Sequence, residues 1–262
     1  MTPPGFRSFH RSAALNGAAI VLACLTNAGS ARGQAVPVGE CGMEQAIALL
    51  DQARVQFQTV EDYECRLIKQ ERINGVLLPP GVMIMKVRNR PFSVYLRSLS
   101  PEADRGMEVS YVEGRDRGMM RVRPPHMLGV LGFWSIDPQD ARAFEKNRHC
   151  IKEAGIGSLL ESTARYWDME RRLRQTLVHI VDDDLNGRPS TRIETIHPDR
   201  HVGQFYGYRC ELWLDKATHL PAGAESYDWP SAGSANGGDL LESYRYLQLR
   251  CNIGIGDGDY PR

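Results

Sequence analysis

From Asp62 onward the chain alternates apolar and charged residues with a period of two. The alternating runs are short and are separated by tight-turn residues, and this rhythm narrows the possible folds more than any other feature. In Tyr63-Glu64-Cys65-Arg66-Leu67 every second side chain is apolar, which puts one face of a strand inward. The pattern returns at Gly81–Arg88, Phe92–Arg97, Met107–Val112 and Arg117–Val122. Turn material stands between the runs: Asn74-Gly75, Asn89-Arg90-Pro91, Pro101–Gly106 and Glu113-Gly114-Arg115-Asp116. Such spacing leaves no room for crossover helices. It predicts an antiparallel meander rather than a doubly wound parallel sheet.

Two segments change period. Met43, Ala46, Ile47, Leu50 and Phe57 recur at helical spacing, predicting a helix over Gly42–Val60 with one apolar stripe. Ser158-Leu159-Leu160-Glu161 reads as a capping box that opens a second helix running to about Arg172. Between them, Pro124–Lys152 carries only weak signals. After the second helix, strands are expected at Thr176–Asp182, Ser190–Ile196, Phe205–Leu214, Ala222–Tyr227 and Leu241–Leu249, with a Gly/Ser/Asn-rich loop at Pro230–Gly238. The class is α+β, in one domain over residues 42–262 with about ten to eleven strands.

The first residues read as an export signal. Arg7, His10 and Arg11 precede an apolar stretch, Ala13–Leu25, and small residues near Gly33 prepare a cleavage site. The stretch is shorter than the roughly 20 residues that span a bilayer. Residues 1–33 are therefore expected to be a signal peptide and 34–41 a flexible mature N-terminus. Val21-Leu22-Ala23-Cys24 offers the alternative of lipidation at Cys24. The protein is expected in the periplasm, with lipid anchoring or secretion as alternatives. Removing Cys24 leaves Cys41, Cys65, Cys150, Cys210 and Cys251, an odd number without a C-x-x-C pair. Disulfides and buried free thiols both stay open. Lys+Arg and Asp+Glu balance at 32 each, so there is no overall basic field for nucleic acid.

A search for catalytic patterns returns structural readings. Gly155-Ile156-Gly157-Ser158 lacks P-loop spacing, and His197 and His201 are interrupted by Pro198. Asp182-Asp183-Asp184 lacks the ligand alternation of a calcium loop. No metal or cofactor is expected. A hydrolase with a site dispersed over strands, with Glu64 and Glu211 among the residues to test, ranks last. The informative feature is apolar: six of the nine methionines, Met83, Met85, Met107, Met119, Met120 and Met127, fall within one stretch. Methionine suits surfaces that adapt to ligands of variable shape. Phe92, Val94 and Leu96 add to these strands, and Tyr206, Tyr208, Leu212 and Leu214 are read as sharing one later strand face. An ordinary packed core fits the same residues.

Several stretches carry a family likeness: Tyr63–Arg72, Lys86-Val87-Arg88-Asn89-Arg90-Pro91-Phe92, Tyr111-Val112-Glu113-Gly114, Tyr208–Pro221 and Tyr244-Arg245-Tyr246. The chain resembles the periplasmic lipoprotein-carrier (Lol) superfamily, and within it is similar to the uncharacterised domain-of-unknown-function family 1571. The resemblance implies a strongly curved, incomplete antiparallel β-barrel with helices over its concave face and an apolar cavity that accepts acyl chains. It also implies a latch at Arg90, whose Arg-Pro pair matches the carriers' place. The linker after Arg123, the Ser231–Gly238 loop and the five mature cysteines depart from the carriers.

The expected function is a non-catalytic binding protein that holds a lipid or an acylated protein between sheet and helices. Cavity candidates are Met83, Met85, Arg90, Phe92, Val94, Met107, Leu159, Leu160, Tyr208 and Leu212. An envelope protein-interaction or stress-sensor module is the alternative.

Overall fold

The computed structural model describes residues 40–126, 132–198, 200, 205–231 and 237–261, with Glu40 and Cys41 described by backbone alone. The expected signal peptide, its cleavage site, Cys24, Met127 and His201 lie outside the described residues. So does most of the Ser231–Gly238 loop.

Helix α1 spans Glu40–Phe57 and α2 spans Ile156–Leu173. The strands are β1 (Asp62–Ile73), β2 (Val76–Leu77), β3 (Gly81–Arg88), β4 (Ser93–Ser100), β5 (Glu108–Val112), β6 (Met120–Arg123), β7 (Trp134–Ile136), β8 (Leu177–Asp184), β9 (Pro189–Ile196), β10 (Arg209–Asp215), β11 (Pro221–Tyr227) and β12 (Leu240–Cys251). They form one 12-stranded sheet in the order β7-β6-β5-β4-β3-β1-β12-β11-β10-β9-β8, with β2 folded onto β1. Each pairing is antiparallel, and the two ends, β7 and β8, do not meet. The fold is therefore an incomplete barrel with two helices. The first and last strands, β1 and β12, are the longest and pair at its centre, so they join the two meanders. Register shifts occur between Glu64 and Arg66, Val82 and Met83, Trp213 and Leu214, and Ser226 and Tyr227. Bulges of this kind increase local twist and bend strands.

The core follows the alternation. Tyr63, Cys65 and Leu67 of β1, Met85 and Val87 of β3, Val94 of β4 and Tyr246 of β12 are buried under the helices, together with Ala46, Leu50 and Ala53 of α1 and Ile156, Leu160 and Trp167 of α2. Helix α1 packs on α2 and on β8. A separate cluster of Val112, Ile255 and Tyr260 ties the C-terminal tail to the sheet. There the Asp62 carboxylate accepts the Ile253 and Gly254 amides at 2.8 and 3.2 Å.

Several boundaries differ from expectation. α1 begins at Glu40, so the flexible N-terminus does not extend to residue 41, and the helix ends at Phe57 rather than Val60. Ser158 is not a cap. The helix starts three residues earlier, with Gly155 at the N-cap and φ +98°, and the Tyr63 hydroxyl accepts the Ile156 amide at 2.8 Å. A side chain from the sheet does the work assigned to a local serine. Residues 117–119 form a tight turn, so the fifth expected strand begins only at Met120. β10 begins at Arg209 rather than Phe205, and β2 and β7 were not expected at all. Both are too short to show a period.

Candidate functional site

The concave face, α2 and a strap at residues 137–155 enclose a cavity of about 860 Å³. The strap carries two 3-10 turns, Ala141–Phe144 and Ile151–Glu153. The cavity's volume lies within the roughly 300–1,000 Å³ typical of small-molecule sites.

One side of the wall is apolar. Leu67 comes from β1, Met83, Met85 and Val87 from β3, and Leu96 from β4. Val109, Met120, Val122 and Ile136 come from the strands out to the β7 edge, and Phe92, Met107, Ile151 and Leu159 complete the surface. The methionines concentrate here because β3 offers every second side chain to this face and carries methionine at two of them. The other side is polar, and strand register explains it. Thr195 of β9 pairs with Cys210 of β10, Cys210 with Ser226 of β11, Ser226 with Glu242 of β12, and Glu242 with Glu71 of β1. All five line the cavity, so a polar row crosses five strands.

Glu71 and Glu242 stand directly opposite each other, and like charges in that position repel. Their neighbours neutralise them. Lys69 donates to Glu71 at 2.9 Å, the Arg148 amide donates to Glu71 at 3.0 Å, and the Tyr244 hydroxyl donates to Glu71. His149 lies 2.7 Å from Glu242 and Arg148 lies 3.3 Å from it. The hydrogen bond to Glu242 raises the pKa of His149 above the ordinary imidazole value. Burial works against ionisation of Glu242, but the His149 contact and Arg148 outweigh it and hold the carboxyl below its ordinary value. These bonds also fasten the strap: Lys69 donates to Asn147 Oδ1 at 2.5 Å, and the Arg148 guanidinium to the Arg72 carbonyl at 3.1 Å. His149 stacks on Tyr206, which in turn meets Tyr166 of α2.

Of the residues singled out from sequence, Met83, Met85, Phe92, Met107, Leu159 and Leu212 lie on the cavity wall. Four do not. Val94 and Leu160 are buried in the packed core. Tyr208 precedes β10 and takes part through its backbone, which accepts from His197 and donates to Tyr227. Arg90 is exposed at the turn between β3 and β4. Its neighbour Asn89 makes the contact toward the helical side, with its amide side chain donating to the Val60 carbonyl at 2.6 Å. The expected tyrosine face also divides, since Tyr206 lines the cavity and Tyr208 does not. The strap and the polar row were missed. The row's members each show the inward parity of a strand, but parity does not reveal which strands are neighbours.

Cys65, Cys150, Cys210 and Cys251 are free. Burial pushes both Cys65 and Cys210 up to about 12, so neither is a thiolate at neutral pH. Among the described residues no group of three or more His, Cys, Asp or Glu side chains could hold a metal ion.

Residues 60–262 match the model of a family described as a protein of unknown function, DUF1571. No curated protein matches the chain. Similar solved structures include a LolA superfamily protein from Nitrosomonas europaea, at 10% identity over 82% of this chain and 96% of that one, with a TM-score of 0.35. The lipoprotein LppX of Mycobacterium tuberculosis is similar at 12% identity over 81% and 98%, with a TM-score of 0.44. An uncharacterized conserved protein from Thermus thermophilus is similar at 8% identity over 83% and 93%, with a TM-score of 0.47.

Proposed function

The chain belongs to the DUF1571 family, and we propose that it is an exported, non-catalytic protein that holds a lipid or an acylated protein in the cavity under α2 and the strap. One observation carries this reading: an interior of about 860 Å³ that the protein's own side chains leave open, with methionine and other apolar residues along one side. Burying an acyl chain there releases about 0.8 kcal/mol per CH₂. Ten carbons would supply roughly 8 kcal/mol before ordering costs, enough for reversible retention without a covalent bond. Flexible methionines allow the wall to follow chains of different length and branching.

The reading is tested on the purified chain from residue 34, extracted for mass spectrometry and titrated with a fluorescent fatty-acid probe. A co-purifying lipid, or saturable probe binding that an unlabelled lipid reverses, is the expected result. Absence of both would defeat the proposal. A single dominant protein partner captured without lipid would favour an envelope interaction module on the same fold.

A further inference from the structure

We infer that the mouth of the cavity is an anion site, where Lys152 of the strap and Arg165 of α2 hold the carboxylate or phosphate head of an amphiphile whose chain lies along the methionine side. This rests on the proposed lipid-holding role and specifies the class of lipid and which end of it stays outermost.

The mouth is marked by the wall residues that solvent reaches. Arg142, Lys152 and Glu153 of the strap and Glu161, Arg165 and Tyr166 of α2 all line the cavity and are exposed. Most of their charges are already committed. Arg142 holds Asp140 at 2.7 Å, Glu161 accepts from the Arg54 guanidinium through both oxygens at 3.1 Å, and Glu153 lies 3.7 Å from His149. Lys152 and Arg165 have no carboxylate partner among the described residues.

Deeper in, no base is left for an anion. The other basic side chains on the wall are Lys69 and His149, which serve Glu71 and Glu242 at 2.9 and 2.7 Å. A negative head pushed into the polar row would meet those two buried carboxylates with nothing to neutralise it. At the mouth it meets two uncommitted cations from separate elements and keeps part of its water. A guanidinium can also donate to two oxygens of one carboxylate or phosphate at once. Lys152 sets the direction of the chain. Its ammonium stands 5.5 Å from the centre of the Tyr111 ring, and that ring meets Phe92. A head held there starts its chain over Phe92, on the wall that also carries Met83, Met85 and Met107.

The test uses four amphiphiles of one chain length: dodecanoate, dodecyl phosphate, methyl dodecanoate and dodecylammonium. Each competes at low salt, below its micelle threshold, with the uncharged fluorescent probe N-phenylnaphthylamine bound to the chain from residue 34. At least one anion is expected to bind about fivefold more tightly than the methyl ester, the size of an ion pair near the surface. Which anion leads distinguishes a fatty-acid head from a phosphate head. Salt at about 0.5 M should shrink the preference. Lys152→Gln combined with Arg165→Gln should bring the ratio close to one and leave methyl ester binding unchanged. Both side chains are exposed, and thermal melting checks that the variant folds. Equal binding of all four would overturn the anion site while leaving the lipid-holding role intact. So would tightest binding by the ester or the ammonium, or an anion preference that survives in the double variant. Failure of all four to displace the probe would overturn both.

Discussion

The hydroxyl of Tyr63, on the first strand, accepts the backbone amide of Ile156, the first residue of α2, at 2.8 Å. Tyr63 is fully buried. The bond thus joins the middle of the sheet to the start of the helix that covers the cavity. Helix N-termini leave several amides without partners, and most proteins satisfy one with a serine, threonine or aspartate next in sequence. Here the cap comes from 93 residues away, so helix placement and sheet packing are one event.

Tyr63→Phe should therefore destabilise the protein by about 1–3 kcal/mol, because the buried Ile156 amide is left without an acceptor while the ring still packs. For a domain of this size that corresponds to a melting temperature lower by roughly 2–10 °C. Differential scanning calorimetry reads the change. An unchanged transition would show that the Tyr63 hydroxyl caps nothing of consequence.

Gly155 gives a second test of the same contact. Its φ of +98° is a conformation that side chains rarely adopt, and a Cβ there would lie 2.4 Å from the Tyr63 hydroxyl. Gly155→Ala should cost more than about 3 kcal/mol through strain and overlap together. Removing the hydroxyl makes room, so Tyr63→Phe with Gly155→Ala should be less destabilised than the two single changes summed. Urea denaturation of the four proteins checks this. Strict additivity would argue against the overlap.

The two meanders and both helices were legible in sequence because each rests on local periodicity. The alternation Tyr63, Cys65, Leu67 continues inward through Lys69 and Glu71, and the strand was recognised from its first three members. The helix stripe of α1 was legible for the same reason. What failed to show was set by distant partners. Ser158 has the pattern of a cap, yet Tyr63 takes the role, because the glycine before Ile156 lets the chain turn three residues sooner. β7 is three residues long and takes its strand character from β6. The polar row is a product of register alone. Thr195, Cys210, Ser226, Glu242 and Glu71 come from five strands, and only their alignment makes them neighbours.

The acid dependence of the turn after β10 tests the carboxylate that holds it. Asp215 accepts the Thr218 amide at 2.8 Å and the Thr218 hydroxyl at 2.9 Å, and it pairs with Arg188 at 2.8 Å. Burial opposes its ionisation, but the Thr218 bonds and Arg188 prevail and lower its pKa. A lowered carboxyl contributes stability that is present above its unfolded value and disappears as pH falls through the folded one. Asp215→Asn should cost about 1–3 kcal/mol at neutral pH and less at an acid pH below the lowered folded value. Chemical denaturation at the two pH values measures the difference. An equal cost at both would remove the carboxylate from the account.

Filling the cavity separates its role in binding from its role in stability. Met107 lies on the wall and is only half-buried. A tryptophan there would take up volume without displacing the tightly packed residues of the core. Met107→Trp should weaken fatty-acid probe binding by about tenfold, through lost apolar contact for the chain, with stability within about 1 kcal/mol of wild type. Undiminished affinity and stoichiometry would place the probe elsewhere.

The strap should respond to pH in two directions. His149 faces Glu242, Glu71 and Glu153 together with Arg148 and Tyr206, and its pKa is raised chiefly by the Glu242 hydrogen bond. A raised imidazole contributes fully below its unfolded value, near 6.5, and its contribution disappears as pH rises through the folded value. Glu242, with its lowered pKa, behaves oppositely and withdraws its contribution as pH falls through its own folded value. The strap is therefore held most firmly between the two. Hydrogen exchange of residues 145–153, corrected for intrinsic rates, should be slowest in that window and quicken on both sides. His149→Gln should abolish the quickening on the alkaline side and leave the acid side in place. If exchange in the variant kept both limbs, the link between strap and sheet would have to run through Arg148 and Lys69 instead.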